Sequence, residues 1–225
     1  MAVECFIYQE SDLPDAALLA RLEKLASSLV SDVSGRWAGA GGLLPVAGLA
    51  PGQIVVGPAF TVRTRPGDNL VVHKALDLAR PGEVLVIAAG GATDRAILGG
   101  LMGEYAKERG IAALVVDGAV RDGSDLDRLA PPVFAAGISH LGPYKDGPGE
   151  LRGPVALSGV AVLDGDIVVG DEDGIAIIPR ARLEEIVLLA EEKLAAEIAE
   201  SEAISGGIWD RSWIDEKMLM RTDNK

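Results

Sequence analysis

The chain has 225 residues, of which 48% are hydrophobic and only 4% aromatic, and it carries a net charge of −13. That length can bury a core built mostly of Ala, Val, Leu and Ile, and an acidic chain without a Lys/Arg cluster is a poor match for nucleic acid. The lone Cys5 excludes an internal disulfide and fits a reducing cytoplasm; no apolar run nears the ~18–20 residues of a membrane span, and no export signal opens the chain.

In chain order, Ser11 and Asp12 can cap a helix whose Leu18, Leu22, Leu25 and Leu29 recur at helical spacing and which ends near Ser31-Asp32. A loop rich in Gly and Ala follows over 35–52. Residues 54–64 read as a strand closed by Pro66-Gly67. Asp68-Asn69 then caps a short helix bearing His73, which stops before Pro81-Gly82. The unbroken apolar run 83–89 is the pattern of a strand covered on both faces. A glycine-rich turn, a helix and a buried strand occupy 90–120, and Ser124-Asp125 opens another short helix. Residues 132–136 read as a strand and 137–153 as a polar loop. A β-meander is expected from 160–163, 167–169 and 175–178, turning at Asp164-Gly165 and at 171–174. The longest helix spans 180–204, with Leu183, Ile186, Val187, Ala190, Leu194 and Ile198 along one stripe; Gly206-Gly207 stops it. The reading is one domain over 1–205, a layered α/β sandwich, with a tail over 206–225.

The chemistry concentrates in 90–122. Arg121-Asp122 leaves a buried strand behind a glycine turn, where α/β sheets place ligands. The guanidinium can clamp a carboxylate in bidentate fashion and the carboxylate can hold a divalent ion. Gly99, Gly100 and Gly103 let backbone amides approach the same ligand. Elsewhere the signals are weak. His73 and His140 are too scattered for an imidazole metal site, the acidic turn at 171–174 lacks calcium-loop spacing, and Cys5 has no partner base.

The blocks Pro66-Gly-Asp-Asn69, His73, 82–86, Leu98-Gly-Gly-Leu-Met102 and Val-Val-Asp117-Gly-Ala-Val-Arg121-Asp122 resemble, in order and spacing over about 12–204, the RraA-like family. That family holds class II aldolases acting on 4-hydroxy-4-methyl-2-oxoglutarate and 4-carboxy-4-hydroxy-2-oxoadipate, the regulator of ribonuclease activity A, and members mislabelled as demethylmenaquinone methyltransferases. The resemblance implies a β/β/α sandwich of the swivelling-domain type with a long C-terminal helix. It implies Asp122 as the direct metal ligand, Arg121 as the clamp on the pyruvate carboxylate, and the amides of Leu101 and Met102 as further substrate contacts. The family signature begins with an acid where this chain has Gly100, which predicts weaker metal binding. Two further carboxylates come from a neighbouring subunit in the family and map onto Asp32 and Glu197.

A metal held by one carboxylate and water calls for Mg²⁺ or Mn²⁺. The expected activity is retro-aldol cleavage of a 4-hydroxy-2-oxo acid to pyruvate, with oxaloacetate decarboxylation through the same enolate. The expected partners are a small 2-oxo acid and copies of the chain in a homotrimer or hexamer, with neither nucleic acid nor membrane. The alternative is a non-catalytic regulator resembling the ribonuclease inhibitor. Trp209 and Trp213 put two large aromatics four residues apart in the tail, which suggests a subunit interface there.

Overall fold

The computed structural model describes residues 3–219. Its first half runs β1 (Cys5–Ile7), α1 (Ala16–Leu22), α2 (Ser27–Val33), β2 (Leu44–Ala47), β3 (Val55–Thr64), α3 (Leu70–Leu78), β4 (Val84–Leu98) and α4 (Gly100–Glu108). The second half runs β5 (Ala113–Val120), α5 (Gly123–Leu129), β6 (Val133–Ile138), β7 (Gly149–Leu151), β8 (Val155–Leu157), β9 (Val160–Val162), β10 (Ile167–Asp171), β11 (Gly174–Ile178), α6 (Leu183–Ser205) and α7 (Ser212–Lys217).

Strands β3, β4, β5 and β6 pair in parallel; β7 adds antiparallel to β3, and β2 antiparallel to β6. Strand β3 belongs to two ladders. Its residues 55–58 pair antiparallel with β10, while 59–63 pair with β4. The alternation of side chains along a strand then sorts the apolar residues into layers. Helices α3, α4 and α5 cover one face of the parallel sheet, Val72, Leu76, Ala106 and Leu126 packing on Leu85, Ile87 and Leu114. On the opposite face Val84, Val86 and Val115 meet Val168 and Ile177 of the β10–β11 hairpin. The hairpin's other face, Ile167, Val169 and Ile178, is sealed by α2 and α6 through Leu29, Ile186 and Val187. The layered α/β sandwich and its long C-terminal helix are therefore as the sequence suggested, with helices on both outer faces.

Several local readings change. The expected three-stranded meander is split, since β9 pairs with β8 in a sheet of its own while β10 pairs with β11 and β3. The expected single N-terminal helix is two, because the buried Asp171 carboxylate takes both the Ser27 amide (2.7 Å) and its hydroxyl (2.6 Å), restarting the chain at Ser27. This gives the 171–174 turn a structural task. Strand β4 does not end at 89. It runs to Leu98, spending residues 88–98 against only 117–120 of β5, with Gly90 and Gly91 at positive φ where the excursion bends. The edge strands β1 and β2 and the short β7, inside the expected loop, are too brief to show periodicity. Finally, Trp213 lies on α7 but Trp209 precedes it, so the two do not share a helix face; both are exposed. The tail's last residues, 220–225, lie outside the described residues.

A buried ionic network ties β7–β8 to the start of β4. The Arg152 guanidinium donates to both oxygens of Glu83 (3.1 and 3.2 Å) and to Asp164 (3.0 Å), and stacks 4.1 Å above the Phe60 ring. Glu83 also accepts from the Arg80 amide and guanidinium. Removing one partner strands the remaining buried charge. Arg152→Ala is expected to lower stability by about 3–5 kcal/mol, measured as a shift of the urea midpoint.

Candidate active site

The excursion of β4 fixes where the site stands. Leu98 returns to pair with Val120, and the Arg121 amide donates to the Leu98 carbonyl (3.0 Å), so the two strands end side by side. Each then turns into a helix, β4 through Gly99 into α4 and β5 through Asp122 into α5. Asp122 adopts the left-handed region (φ 58°, ψ 46°), which Asp tolerates better than most residues and which recurs at functional sites. The turn aims its carboxylate back at α4, where Oδ2 accepts the Gly100 amide (3.2 Å) and lies 3.5 Å from Arg121 Nε. Both side chains remain nearly half exposed.

Gly99 is required by space. A Cβ there would lie 2.4 Å from Asp122 Oδ2 and 3.0 Å from Arg121 Cγ, so any side chain would displace the pair. The amides of α4 divide. Met102 donates to the Gly99 carbonyl (3.1 Å) within the first turn, whereas no protein acceptor among the described residues takes the Leu101 amide. Gly100 also differs from expectation as a place for an acid. A Cβ at 100 would stand 2.8 Å from the Asp125 Cβ and 3.3 Å from its Oδ2, so the room for that side chain is taken by Asp125, which pairs with Arg128 at 2.9 Å.

A cavity of about 290 Å³ opens over the pair, walled by Asn69, Met102, Gly142 and Pro143 and rimmed by His73, Leu101 and Lys145. Asn69 Nδ2 donates to the Ile97 carbonyl (2.9 Å), tying this wall to β4. The segment 139–148, which supplies Gly142, Pro143 and Lys145 to the cavity, is strapped down from several sides. Arg95 donates to the Gly142 carbonyl (2.9 Å) and stacks 4.3 Å over the Tyr144 ring, and the Asn69 amide donates to the Tyr144 carbonyl (3.0 Å). The fully buried Asp68 accepts from the amides of Leu70 (3.0 Å), Asp146 (2.8 Å) and Gly147 (3.0 Å) and from Arg65 (3.0 Å). Burial alone would raise its pKa; the three amides and Arg65 outweigh that and hold it below the usual carboxylate range. Opposite in sense, burial raises Asp117 on β5, outside the cavity, against the Gly91 amide that donates to it.

Asp32 and Glu197 are elsewhere in the single chain. Lys193 bridges them, 3.2 Å from Asp32 and 2.8 Å from Glu197, in the α2–α6 layer on the far side of the sheet from α4 and α5. The Lys193 hydrogen bond, seconded by Arg36, pulls Asp32 below its ordinary pKa. His73 and Lys145 do reach the cavity, although nothing in their spacing indicated it. His73 could be placed only once α3 was seen beside α4, and Lys145 only once its loop was seen strapped across Arg121.

The donor set bears on the implied metal. Asp122 presents a free Oδ1 beside bare backbone, and no group of three or more His, Cys, Asp or Glu side chains gathers among the described residues. One hard oxygen ligand and open space suit an ion that keeps most of its waters, as Mg²⁺ does; an imidazole-bound metal would find a single histidine, His73, at this cavity.

The model of the RraA-like family, described as Aldolase/RraA, matches residues 25–177. The chain belongs to the Aldolase/RraA family. It is similar to a protein of Halalkalibacterium halodurans named as a putative 4-hydroxy-4-methyl-2-oxoglutarate aldolase, 41% identical over 165 residues, 73% of this chain and 79% of that one. Among solved structures of the fold, an uncharacterized protein from Pseudomonas syringae superposes with a TM-score of 0.78 at 27% identity, over 89% of this chain and 94% of the other. Streptomyces coelicolor RraAS2, described as an unusual member of the RNase ES inhibitor RraA family, gives 0.75 at 30% identity over 83% and 96%. The family thus spans proteins named as aldolases and proteins named as inhibitors, and both outcomes must be weighed against this cavity.

The Asp68 clamp makes stability depend on pH. A carboxylate whose folded pKa is depressed contributes stability above its unfolded pKa of about 4 and loses it as pH falls through the lower folded value. Asp68→Asn is expected to cost about 1–3 kcal/mol at pH 7. The difference from the wild type should shrink below about pH 4, read by urea unfolding at a series of pH values.

Proposed function

We propose that the chain is a divalent-metal-dependent lyase that cleaves a 4-hydroxy-2-oxo acid to pyruvate and a second carbonyl compound, and that decarboxylates oxaloacetate at the same site. The observation that carries this reading is the Arg121–Asp122 pair set against the bare backbone of Gly99 at the floor of a small cavity. An inhibitor acting by surface contact has no use for a guanidinium whose terminal nitrogens hydrogen-bond to nothing among the described residues, nor for an adjacent carboxylate in a left-handed turn.

The planar fork of Arg121 receives the substrate C1 carboxylate through two parallel N–H donors. The free Leu101 amide, at the positive end of α4, adds a third donor to the same anionic end. Asp122 is the residue that would hold the metal. When bound, Mg²⁺ or Mn²⁺ supplies Lewis-acid stabilisation of the charge that develops on the 2-oxo oxygen. Breaking the C3–C4 bond leaves pyruvate enolate in both reactions, with an aldehyde or ketone departing in one and carbon dioxide in the other. In the retro-aldol direction the 4-hydroxyl gives up a proton, and the enolate takes one at C3. Asp32 and Glu197 can serve that transfer only from another copy, since in one chain they face away. Support for a shared site comes from the exposed Leu101 on the cavity rim, together with the exposed Ile138, paired with Val120 at the end of β6, and Leu141, next to Gly142 of the cavity wall; exposed apolar side chains of this kind are what partner surfaces cover. A homotrimer or hexamer with pyruvate sites between subunits, working in the cytoplasm, is the form we propose.

Asp122→Asn keeps the left-handed turn and removes the charge. It is expected to lower pyruvate release from oxaloacetate by at least ~10²-fold with the melting temperature little changed, and EDTA should do the same to the wild type until Mg²⁺ is restored. Arg121→Lys should fail by a similar order because an ammonium cannot reproduce the fork. Wild-type rates in either variant would remove that residue from the mechanism, and indifference to EDTA would remove the metal; failure of the wild type to release pyruvate at all would transfer the choice to the inhibitor reading.

The shared site has its own test. Inactive Arg121→Ala and inactive Glu197→Ala subunits, unfolded together and reassembled, should recover a fraction of wild-type turnover, since mixed interfaces regenerate intact sites. No recovery would place Glu197 outside the site.

A further inference from the structure

The main sheet ends in two unlike edges. Its strand order runs from β1 at one edge to β2 at the other. Strand β2 carries Pro45 and a register shift between Pro45 and Ala47, two devices that prevent a further strand from adding. Strand β1, the run Cys5-Phe6-Ile7, carries neither proline, lysine nor bulge. Instead Val3, Phe6, Ile7 and Tyr8 are all exposed, a cluster of large apolar side chains on both faces of one edge. Only three residue pairs with the equally short β7 hold this strand in the sheet.

The free edge is a fixed template. A Cβ on Gly147 would lie 2.8 Å from Val3 Cγ1, and one on Gly153 would lie 2.7 Å from the Tyr8 ring, so both ends of the strand are seated on the segment 147–153. The Tyr8 amide donates to the Leu151 carbonyl (3.0 Å). Even-numbered residues of this stretch therefore turn their backbone groups toward β7, and the alternation along a strand sends those of Cys5 and Ile7 outward. No strand takes them among the described residues.

Two copies of this edge fit each other. In an antiparallel pair about a two-fold axis, outward-facing residues meet outward-facing ones only if the axis passes through a residue rather than between two. An axis at Ile7 sets Glu4 against Glu10, like charge on like, and one at Cys5 sets Glu4 against Phe6. An axis at Phe6 sets Glu4 against Tyr8 of the second copy, Cys5 against Ile7, and Val3 against Gln9. Glu4 has no cation within ion-pair distance and the Tyr8 hydroxyl has no hydrogen-bond partner among the described residues, so each supplies what the other lacks. Each Phe6 then faces its counterpart as the close, non-hydrogen-bonded kind of pair, while Cys5 and Ile7 exchange bonds on either side.

We propose that β1 is a contact between two copies of this chain, joined antiparallel about a two-fold axis at Phe6 so that their sheets run on as one. The same patch serves both copies, as a two-fold contact requires. None of residues 3–9 lines the Arg121–Asp122 cavity, so this contact stands or falls apart from the lyase reading.

The full chain tests this by mass and by cross-linking. Sedimentation at micromolar concentration is expected to give an even number of copies for the wild type. Ile7→Pro removes an outward N–H while leaving the bonds to β7, and is expected to halve that mass with the far-ultraviolet circular dichroism unchanged. The register is tested by cysteine substitutions in a Cys5→Ser background under mild oxidation with copper phenanthroline. Phe6→Cys should form an interchain disulfide, because Cα atoms in such a pair stand about 4.5 Å apart, within bridging range. Ile7→Cys should not, since its two copies are offset beyond about 7 Å, and nor should Cys5 in the wild type. An odd number of copies, an unchanged mass in Ile7→Pro, or cross-linking at position 5 or 7 as fast as at position 6 overturns the proposal. A monomeric wild type overturns it too, and leaves the edge to a strand from a different protein. Should Ile7→Pro fail to fold, the cross-linking at positions 6 and 7 decides alone.

Discussion

Everything at this site depends on how closely two strand ends approach. Strands β4 and β5 finish in register at Leu98 and Val120, and the chain at Gly99 comes so near Arg121–Asp122 that a single methyl group would collide with the carboxylate. The approach gives Asp122 an amide to lean on, lets α4 and α5 open side by side, and leaves a guanidinium beside a carboxylate without cancelling it in a tight ion pair. It is possible because the excursion in β4 absorbs the surplus chain before the strand returns, with two glycines at positive φ making the bend. Filling position 99 would release the pair even with every other residue in place.

The same crowding recasts the missing family acid. Position 100 is not an empty socket awaiting a carboxylate, since Asp125 from the first turn of α5 stands where its Cβ would go. Glycine at 100 and aspartate at 125 are thus two sides of one packing solution, and the charge at this corner is supplied from α5 rather than α4. The cavity above is bounded by a loop whose path is dictated by Asp68, a buried carboxylate that satisfies three amides at once. Such a clamp is expensive to break, because each amide it holds would be left unpaired away from water.

Much of this was legible in order of residues. The apolar runs of β4, β5 and β10–β11 were readable because strands buried on both faces carry few polar interruptions, and α6 because its stripe repeats over about four turns. The Arg-Asp pair after a buried strand was readable for the same reason, since its context is local. What escaped was nonlocal. The break between α1 and α2 is imposed by Asp171, 144 residues away. The length of β4 is set by a register with β5 that glycines in sequence suggest only as a turn. The contribution of Lys145 and His73 to the cavity depends on a loop crossing over Arg121, and no spacing encodes a crossing.

By itself, then, the sequence determined the layered α/β class, the family to which the chain belongs, and the place of the Arg121–Asp122 pair at the end of a buried strand, because each is carried by runs of neighbours whose periodicity or contiguity survives in one dimension. Only the tertiary structure decided that Gly99 must be bare, that Asp125 takes the room at position 100, that Asp32 and Glu197 turn away from the site within one chain, and that Lys145 meets His73 above it. Those outcomes are distances between segments far apart in the chain. They are fixed by which faces must be buried together and by how little space remains once they are.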